Sequence, residues 1–306
     1  MTADTAPADL VNLHEIAEIE IFILKRMKEL TLGDHGSVYK GAGFHFVGTR
    51  DWEPGDRTAS IDWAQSSLNN FSPLVTREFE QDSNASIVAV ADASLSTRCG
   101  MLGATIETAI TRAVAAVGLS AVHFQDMFGL VTFDEKFEQV AAARPRIGRS
   151  HVIYCLDLYQ HHQVTDTSTG PRDVVTAIEA HLRRSALVPV VSDFLFADAT
   201  RVVDELALVD AVHDVFLLMA DVRFAYELPR VSDGWIEAYD VETGRTGVFS
   251  AREMARLGRR ASEWQDRVER HARDAGIDVV RVGLDRWEME TALVEFTAER
   301  RLRKAK

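Results

Sequence analysis

Ser86-Ile87-Val88-Ala89-Val90-Ala91-Asp92-Ala93-Ser94-Leu95-Ser96 decides how the chain is read. Its first half is an unbroken apolar run, Ile87–Ala91, fit for a parallel strand buried on both faces. Its second half, D-x-S-x-S, offers one carboxylate and two hydroxyls at alternate positions. Alternate residues of an extended turn point the same way. Hard oxygen ligands carrying little charge suit Mg²⁺ or Mn²⁺, with several waters kept on the ion. The carboxyl end of a central strand is also where open α/β sheets bind ligands. A second reading needs no ligand: Asp, Ser and Thr are good helix caps, so residues 92–97 would cap the helix that follows.

Downstream of this stretch, strands and helices alternate. Gly100–Leu119 reads as a helix, then Phe128–Phe133 and Phe137–Ala142 as a hairpin around Asp134-Glu135. His151–Gln160 and residues 172–184 read as helices, Leu187–Val191 as a strand, Ala199–Leu208 as a helix and Val212–Met219 as a strand. A small hairpin, Trp235–Val241 with Thr246–Phe249, precedes a long helix over residues 252–275 that Gly276 stops. The strand Ile277–Val282 and a helix over residues 288–302 follow. The pattern predicts an α/β fold: a doubly wound, mostly parallel sheet with one antiparallel edge hairpin. Leu187–Val191 runs into Ser192-Asp193. A parallel neighbouring strand would bring Asp193 beside Asp92 as a second carboxylate.

Upstream, Leu10, Leu13, Ile16, Ala17, Phe22, Leu24, Met27 and Leu30 approximate a helical period. Glu15, Glu18 and Glu20 lie toward its start and Lys25, Arg26 and Lys28 toward its end, as the helix dipole favours. Gly33 and Gly36 then end the helix. Residues 33–85 are rich in Gly, Trp, Asp and Arg, with short extended patches at Gly43–Val47 and Leu74–Phe79 and a turn at Pro54-Gly55. The expected organisation is an N-terminal helix (1–32), an irregular segment (33–85) packed on the main domain, and the α/β domain (86–306).

The 306 residues include 34 bases and 47 acids, a net charge of −13. A general nucleic-acid binder needs a basic footprint, and an anionic membrane would repel this balance. Two cysteines, Cys99 and Cys155, build neither a disulfide framework nor a Cys-rich zinc site and suit a reducing compartment. No signal-peptide pattern opens the sequence, and no apolar run approaches the roughly 18 residues of a spanning helix. A cytoplasmic protein without membrane insertion is expected. Neither a G-x-x-x-x-G-K-[ST] loop nor a G-x-S-x-G elbow occurs. The ligand set, two hydroxyls and two carboxylates with no evident general base or nucleophile, leads to the expectation of a non-enzymatic role. The alternative is a Mg²⁺-dependent phosphoesterase built on Asp92, although such sites usually use more carboxylates or an activated nucleophile.

Asp92–Ser96 together with Asp193 resembles the metal-ion-dependent adhesion site of von Willebrand factor A domains. Phe46-Val47-Gly48-Thr49-Arg50-Asp51-Trp52-Glu53-Pro54-Gly55-Asp56-Arg57, then Ile61-Asp62-Trp63, then Val75-Thr76-Arg77-Glu78, resembles the signature of the bacterial domain-of-unknown-function-58 family. In that family the segment precedes a von Willebrand A-like domain. The resemblance runs from about residue 30 to 302 and includes Val190-Val191-Ser192-Asp193-Phe194 and Glu227-Leu228-Pro229. It implies a Rossmann-like fold with an N-terminal elaboration and a Mg²⁺ or Mn²⁺ site on Asp92, Ser94, Ser96 and Asp193. It implies an adaptor whose metal accepts an acidic group of a partner. It also implies cooperation with a MoxR-type AAA+ ATPase that assembles or activates a client complex.

One position departs from the family pattern. The family's third ligand is a Thr that opens the helix before the second carboxylate strand, and Arg172 stands there. A guanidinium cannot ligate a cation. Either Thr167, Ser168 or Thr169 substitutes from the preceding loop, with Thr169 as the candidate ligand, or Arg172 itself pairs with Asp92 or Asp193. In the upstream signature, Arg50, Asp56, Arg57 and Asp62 are interleaved with Trp52 and Trp63. They form either an ion-pair network that braces the segment or a surface that meets a partner, since Trp and Arg are enriched at interface hot spots.

Overall fold

Residues 87–91 are buried at every position, and the strand they form is one of the two central strands of a six-stranded sheet. The computed structural model describes residues 11–21, 45–52, 61–68, 70–80, 85–101, 104–134, 139–161, 174–182, 185–226, 235–239, 246–284, 289, 291–293 and 296. In chain order the elements are α1 (residues 13–21), β1 (His45–Asp51), α2 (Trp63–Leu68), β2 (Val75–Glu80), β3 (Ser86–Asp92), a 3₁₀ turn (Leu95–Arg98), β4 (Gly100–Met101), β5 (Ala104–Thr105), α3 (Ile106–His123), β6 (Met127–Phe133), β7 (Gln139–Arg146) and α4 (Arg149–His161). There follow α5 (Val174–Glu179), β8 (Leu187–Ser192), α6 (Ala199–Asp210), β9 (Asp214–Ala220), α7 (Arg223–Tyr226), β10 (Trp235–Tyr239), β11 (Thr246–Ser250), α8 (Ala251–Asp274) and β12 (Asp278–Val282). Residues 289, 291–293 and 296 are helical. No helix among the described residues is long and apolar enough to cross a membrane.

The chain divides into two units, Met1–Glu29 with Ala85–Lys306, and Leu30–Asn84. In the larger unit the sheet runs β12-β9-β8-β3-β6-β7, parallel throughout except for the antiparallel edge pair β6–β7. The chain winds outward from β3 through β6 to β7. It then returns to the other side of β3 and winds outward through β8 and β9 to β12. The direction reverses between β3 and β8, and such a switch point opens a crevice at the carboxyl ends of the strands.

Both sheet faces are covered. Ile87, Ala89 and Ala91 join an apolar cluster with residues of α1, α3 and α4, whereas Val88 and Val90 join another with residues of α5, α6 and α8. Side chains alternate between faces because the strand repeat is two residues. This is the doubly wound, mostly parallel α/β sheet that the alternation of elements predicts. On α1 the buried residues are Val11's neighbours in register, Ile16 and Ile19, whereas Leu13 is 67% exposed. Glu15 and Glu20 dock this helix by pairing with Arg112 of α3 at 2.6 Å and Arg149 of α4 at 2.7 Å. Gly33 and Gly36 lie outside the described residues.

The third helix begins six residues later than expected, at Ile106 rather than Gly100. Gly100 sits in the β4–β5 hairpin, where a Cβ would meet the Ala104 carbonyl oxygen at 2.1 Å. Thr105 then caps the helix through a reciprocal box with Thr108. The backbone approach and the cap outweigh an apolar pattern that continues upstream. The expected helix over 172–184 is seen as Val174–Glu179.

In the smaller unit, β1 and β2 pair antiparallel with a bulge between Phe46 and Gly48. Asp62 caps α2, its Oδ1 accepting from the amides of Ala64 and Gln65, both at 3.1 Å. Ser66 Oγ accepts the Val75 amide at 2.9 Å, tying α2 to the start of β2. The segment thus holds a strand pair in which β1 runs past the patch read from the sequence and β2 matches its patch shifted by one residue. Its Pro54-Gly55 turn lies outside the described residues.

Candidate functional site

The register Val90↔Val190 and Ala91↔Val191 carries one step further to set Ser192, rather than Asp193, across from Asp92. Ser192 Oγ donates to Asp92 Oδ2 at 2.5 Å. Asp92 Oδ1 accepts the Ser94 amide at 2.9 Å, and the Asp92 carbonyl accepts the Tyr159 hydroxyl at 2.7 Å. The hydroxyls of Ser94 and Ser96 hydrogen-bond to each other at 3.0 Å. They meet through a 3₁₀ turn instead of an extended one. Ser94 is extended, with φ −63° and ψ 163°, and Thr97 Oγ1 closes the turn on the Ser94 carbonyl at 2.7 Å. The Ser94 side chain makes no capping bond, and α3 takes its cap from Thr105. Helix capping therefore does not account for the two hydroxyls.

Asp193 is fully buried, and its Oδ1 accepts the Leu195 amide at 3.0 Å. Phe194 follows in the left-handed region at φ 53°, its side chain fully buried and its amide donating to Ser192 Oγ at 3.0 Å. That conformation is a genuine outlier for a bulky residue. Ser192 Oγ thus links the turn after β8 to Asp92. From α8, Trp264 Nε1 donates to the Phe194 carbonyl at 2.9 Å and Gln265 Nε2 to the Asp193 carbonyl at 2.9 Å.

Asp134 and Asp221, buried just beyond β6 and β9, complete a row in which four adjacent strands each end near an aspartate. A cavity of about 10 Å³, the size of one water, is lined by Asp92, Asp134, Ser192, Phe133 and Phe196 among others. Burial would raise the Asp221 pKa, but hydrogen bonds and charge from Arg223, with Arg281 beyond, win and hold it below the ordinary carboxylate value. Its stabilising contribution is therefore present above the unfolded pKa of about 4 and is lost as pH falls through the folded value. Asp221→Asn is expected to flatten the acid limb of stability against pH, read from urea midpoints between neutral pH and pH 3. An unchanged acid limb would show that the pair contributes nothing.

The donor set suits a small hard cation. In an octahedral Mg²⁺ site with bonds of about 2.1 Å, adjacent ligands stand √2 times that, roughly 3.0 Å, apart. The Ser94–Ser96 hydroxyl separation of 3.0 Å spans such an edge without movement. Among the described residues no three His, Cys, Asp or Glu side chains are arranged to hold a metal ion. A cation here would rest on hydroxyls and water, with the Asp92 charge beside them.

Thr169 and Arg172 lie outside the described residues, as do Asp56 and Arg57. Arg50 lies on β1, Trp52 is half-buried and Trp63 is 58% exposed. The site also contains residues that sequence reasoning left without a role: Ser192, Tyr159, Trp264 and Gln265. Only Ser192 carries a signal, through its register with Asp92.

The family model described as "Protein of unknown function DUF58" matches residues 48–272. Uncharacterized proteins of Mycobacterium bovis and Mycobacterium tuberculosis are 25% identical over 297 residues, covering 92% of this chain and 88% of theirs. Among solved structures, the conserved hypothetical protein BatB from Bacteroides thetaiotaomicron is similar at a TM-score of 0.41 and 13% identity, over 71% of this chain and 98% of that one. An aerotolerance-related membrane protein from Bacteroides fragilis is similar at 0.42 and 11%, over 69% of this chain and 100% of that one.

Proposed function

The chain belongs to the DUF58 family, whose function is unknown, and from that premise we propose that it is a non-enzymatic interaction module. A divalent cation at the β3–β8 switch point captures an acidic group of a protein partner. The observation that carries this reading is the Ser94–Ser96 hydroxyl pair, 3.0 Å apart beside the Asp92 carboxylate. Few protein ligands leave positions on the ion open. A partner carboxylate that fills one binds with charge assistance and a defined orientation. The net charge of −13 repels acidic clients at long range, so capture depends on this local cation. Resemblance in the upstream signature supports a MoxR-type AAA+ ATPase as the cooperating partner in the cytoplasm. Exposed Trp63 is suited to an interface.

Titration calorimetry with Mg²⁺ and Mn²⁺ tests the site. The wild-type chain is expected to bind, and Ser94→Ala/Ser96→Ala to bind at least 10-fold more weakly with unchanged thermal stability. Equal affinity in the double variant, or no binding by the wild type, would sink the reading. Metal-dependent turnover of p-nitrophenyl phosphate that Asp92→Ala abolishes would replace it with a hydrolase.

A further inference from the structure

Helix α8 is largely polar, and its buried positions are Met254, Gln265, Val268 and Ala272. Three of these are what a helix resting on a sheet requires. Gln265 is not: it is fully buried, and an amide side chain costs free energy there unless its polar atoms are paired. They are paired with backbone at the ends of two adjacent strands. Gln265 Nε2 donates to the Asp193 carbonyl at 2.9 Å and to the Ala220 carbonyl at 2.7 Å, while Oε1 accepts the Val222 amide at 3.4 Å. One side chain therefore ties the turn after β8 to the turn after β9. Its neighbour Trp264 holds the next carbonyl, that of Phe194.

The turn that is held this way is under strain. A buried aromatic residue at φ 53° persists only where its surroundings over-determine it. Ser192 Oγ fixes the amide of Phe194 and Trp264 fixes its carbonyl. Gln265 fixes the peptide just before. A methionine or leucine would cover the sheet without burying an amide, so packing alone does not explain a glutamine at this position.

We propose that Gln265, with Trp264, is a positioning residue. It locks the turns after β8 and β9 together and thereby holds Phe194, whose amide fixes the Ser192 hydroxyl that bonds Asp92, which makes α8 part of the site. The effect on a cation rests on the function proposed above, whereas the locking of the turns does not.

Gln265→Met keeps the length and volume of the side chain and removes the three hydrogen bonds. In native-state hydrogen exchange on the full chain, the amides of Phe194, Leu195, Val222 and Arg223 are expected to exchange at least 10-fold faster, with β3 and β6 at wild-type rates. Mg²⁺ affinity by calorimetry is expected to fall 10–100-fold, the range for loss of a group that orients a metal ligand. Trp264→Phe should act more weakly and only on residues 193–195. Unchanged exchange in the two turns, or an equal rise across the whole sheet, would overturn the proposal. If the wild type binds Mg²⁺ and Gln265→Met binds it equally well, the turns are locked for another reason and the positioning role falls. If the wild type binds no Mg²⁺ but the local exchange effect appears, the cation reading fails and the lock stands.

Discussion

Asp92→Asn is expected to lower Mg²⁺ affinity about 100-fold while leaving the melting temperature within a few degrees of wild type. Asparagine keeps the shape of the side chain. Its carbonyl oxygen can still accept the Ser94 amide, and its NH₂ can donate to Ser192 Oγ, whose two lone pairs then serve this bond and the Phe194 amide. What disappears is the charge. A unit charge a few ångströms from an ion is worth about 4 kcal/mol per unit of ionic charge at an effective dielectric constant near 20. A 100-fold loss corresponds to about 2.7 kcal/mol, so the expected change is a moderate one. Asp92→Ala behaves differently, since it also takes the acceptor from the Ser192 hydroxyl and the Ser94 amide. That adds about 1–3 kcal/mol of destabilisation and a visible drop in melting temperature. Calorimetry and thermal melts on both variants separate charge from hydrogen bonding. Wild-type affinity in Asp92→Asn would show that the carboxylate has no part in holding a cation.

The strands were legible because a strand buried on both faces has no polar position. Ile87–Ala91 and Leu187–Val191 mark β3 and β8 to within one residue at each end. The aspartate at the end of β3 and its alternating serines were legible for the same reason, since they interrupt an apolar run. Two things were not. The start of α3 depends on how closely Gly100 approaches the Ala104 carbonyl, a contact that no periodicity encodes. The groups that hold the site come from far along the chain: Tyr159 from α4, and Trp264 and Gln265 from a helix that otherwise reads as a charged rod. A buried glutamine on such a helix looks like one more exposed polar residue until the fold places it. Ser192 lies between these cases, hidden only by a register that the sequence does not determine.

Phe128→Ala is expected to cost roughly 3–5 kcal/mol, at the upper end for a core truncation. Phe128 is 1% exposed near the start of β6, and its ring lies beneath α3 at Gly118. A Cβ on Gly118 would stand 3.2 Å from that ring and 2.7 Å from Val152 Cγ1 of α4. The glycine therefore lets α3 lie close over both the strand and α4. It also means that no side chain at 118 can move into the space a missing ring leaves, so the cavity persists instead of collapsing. Against a total stability of about 5–15 kcal/mol this loss is a large fraction, read as a lower urea midpoint with an unchanged slope. Gly118→Ala alone is expected to destabilise by about 1–3 kcal/mol through crowding against a branched and fully buried valine. Combined with Phe128→Ala, the same methyl enters the vacated space. The double variant should then be more stable than the sum of the two losses, by about 0.5–3 kcal/mol in a double-mutant cycle. Strict additivity would mean that the ring and the glycine do not share one packing site.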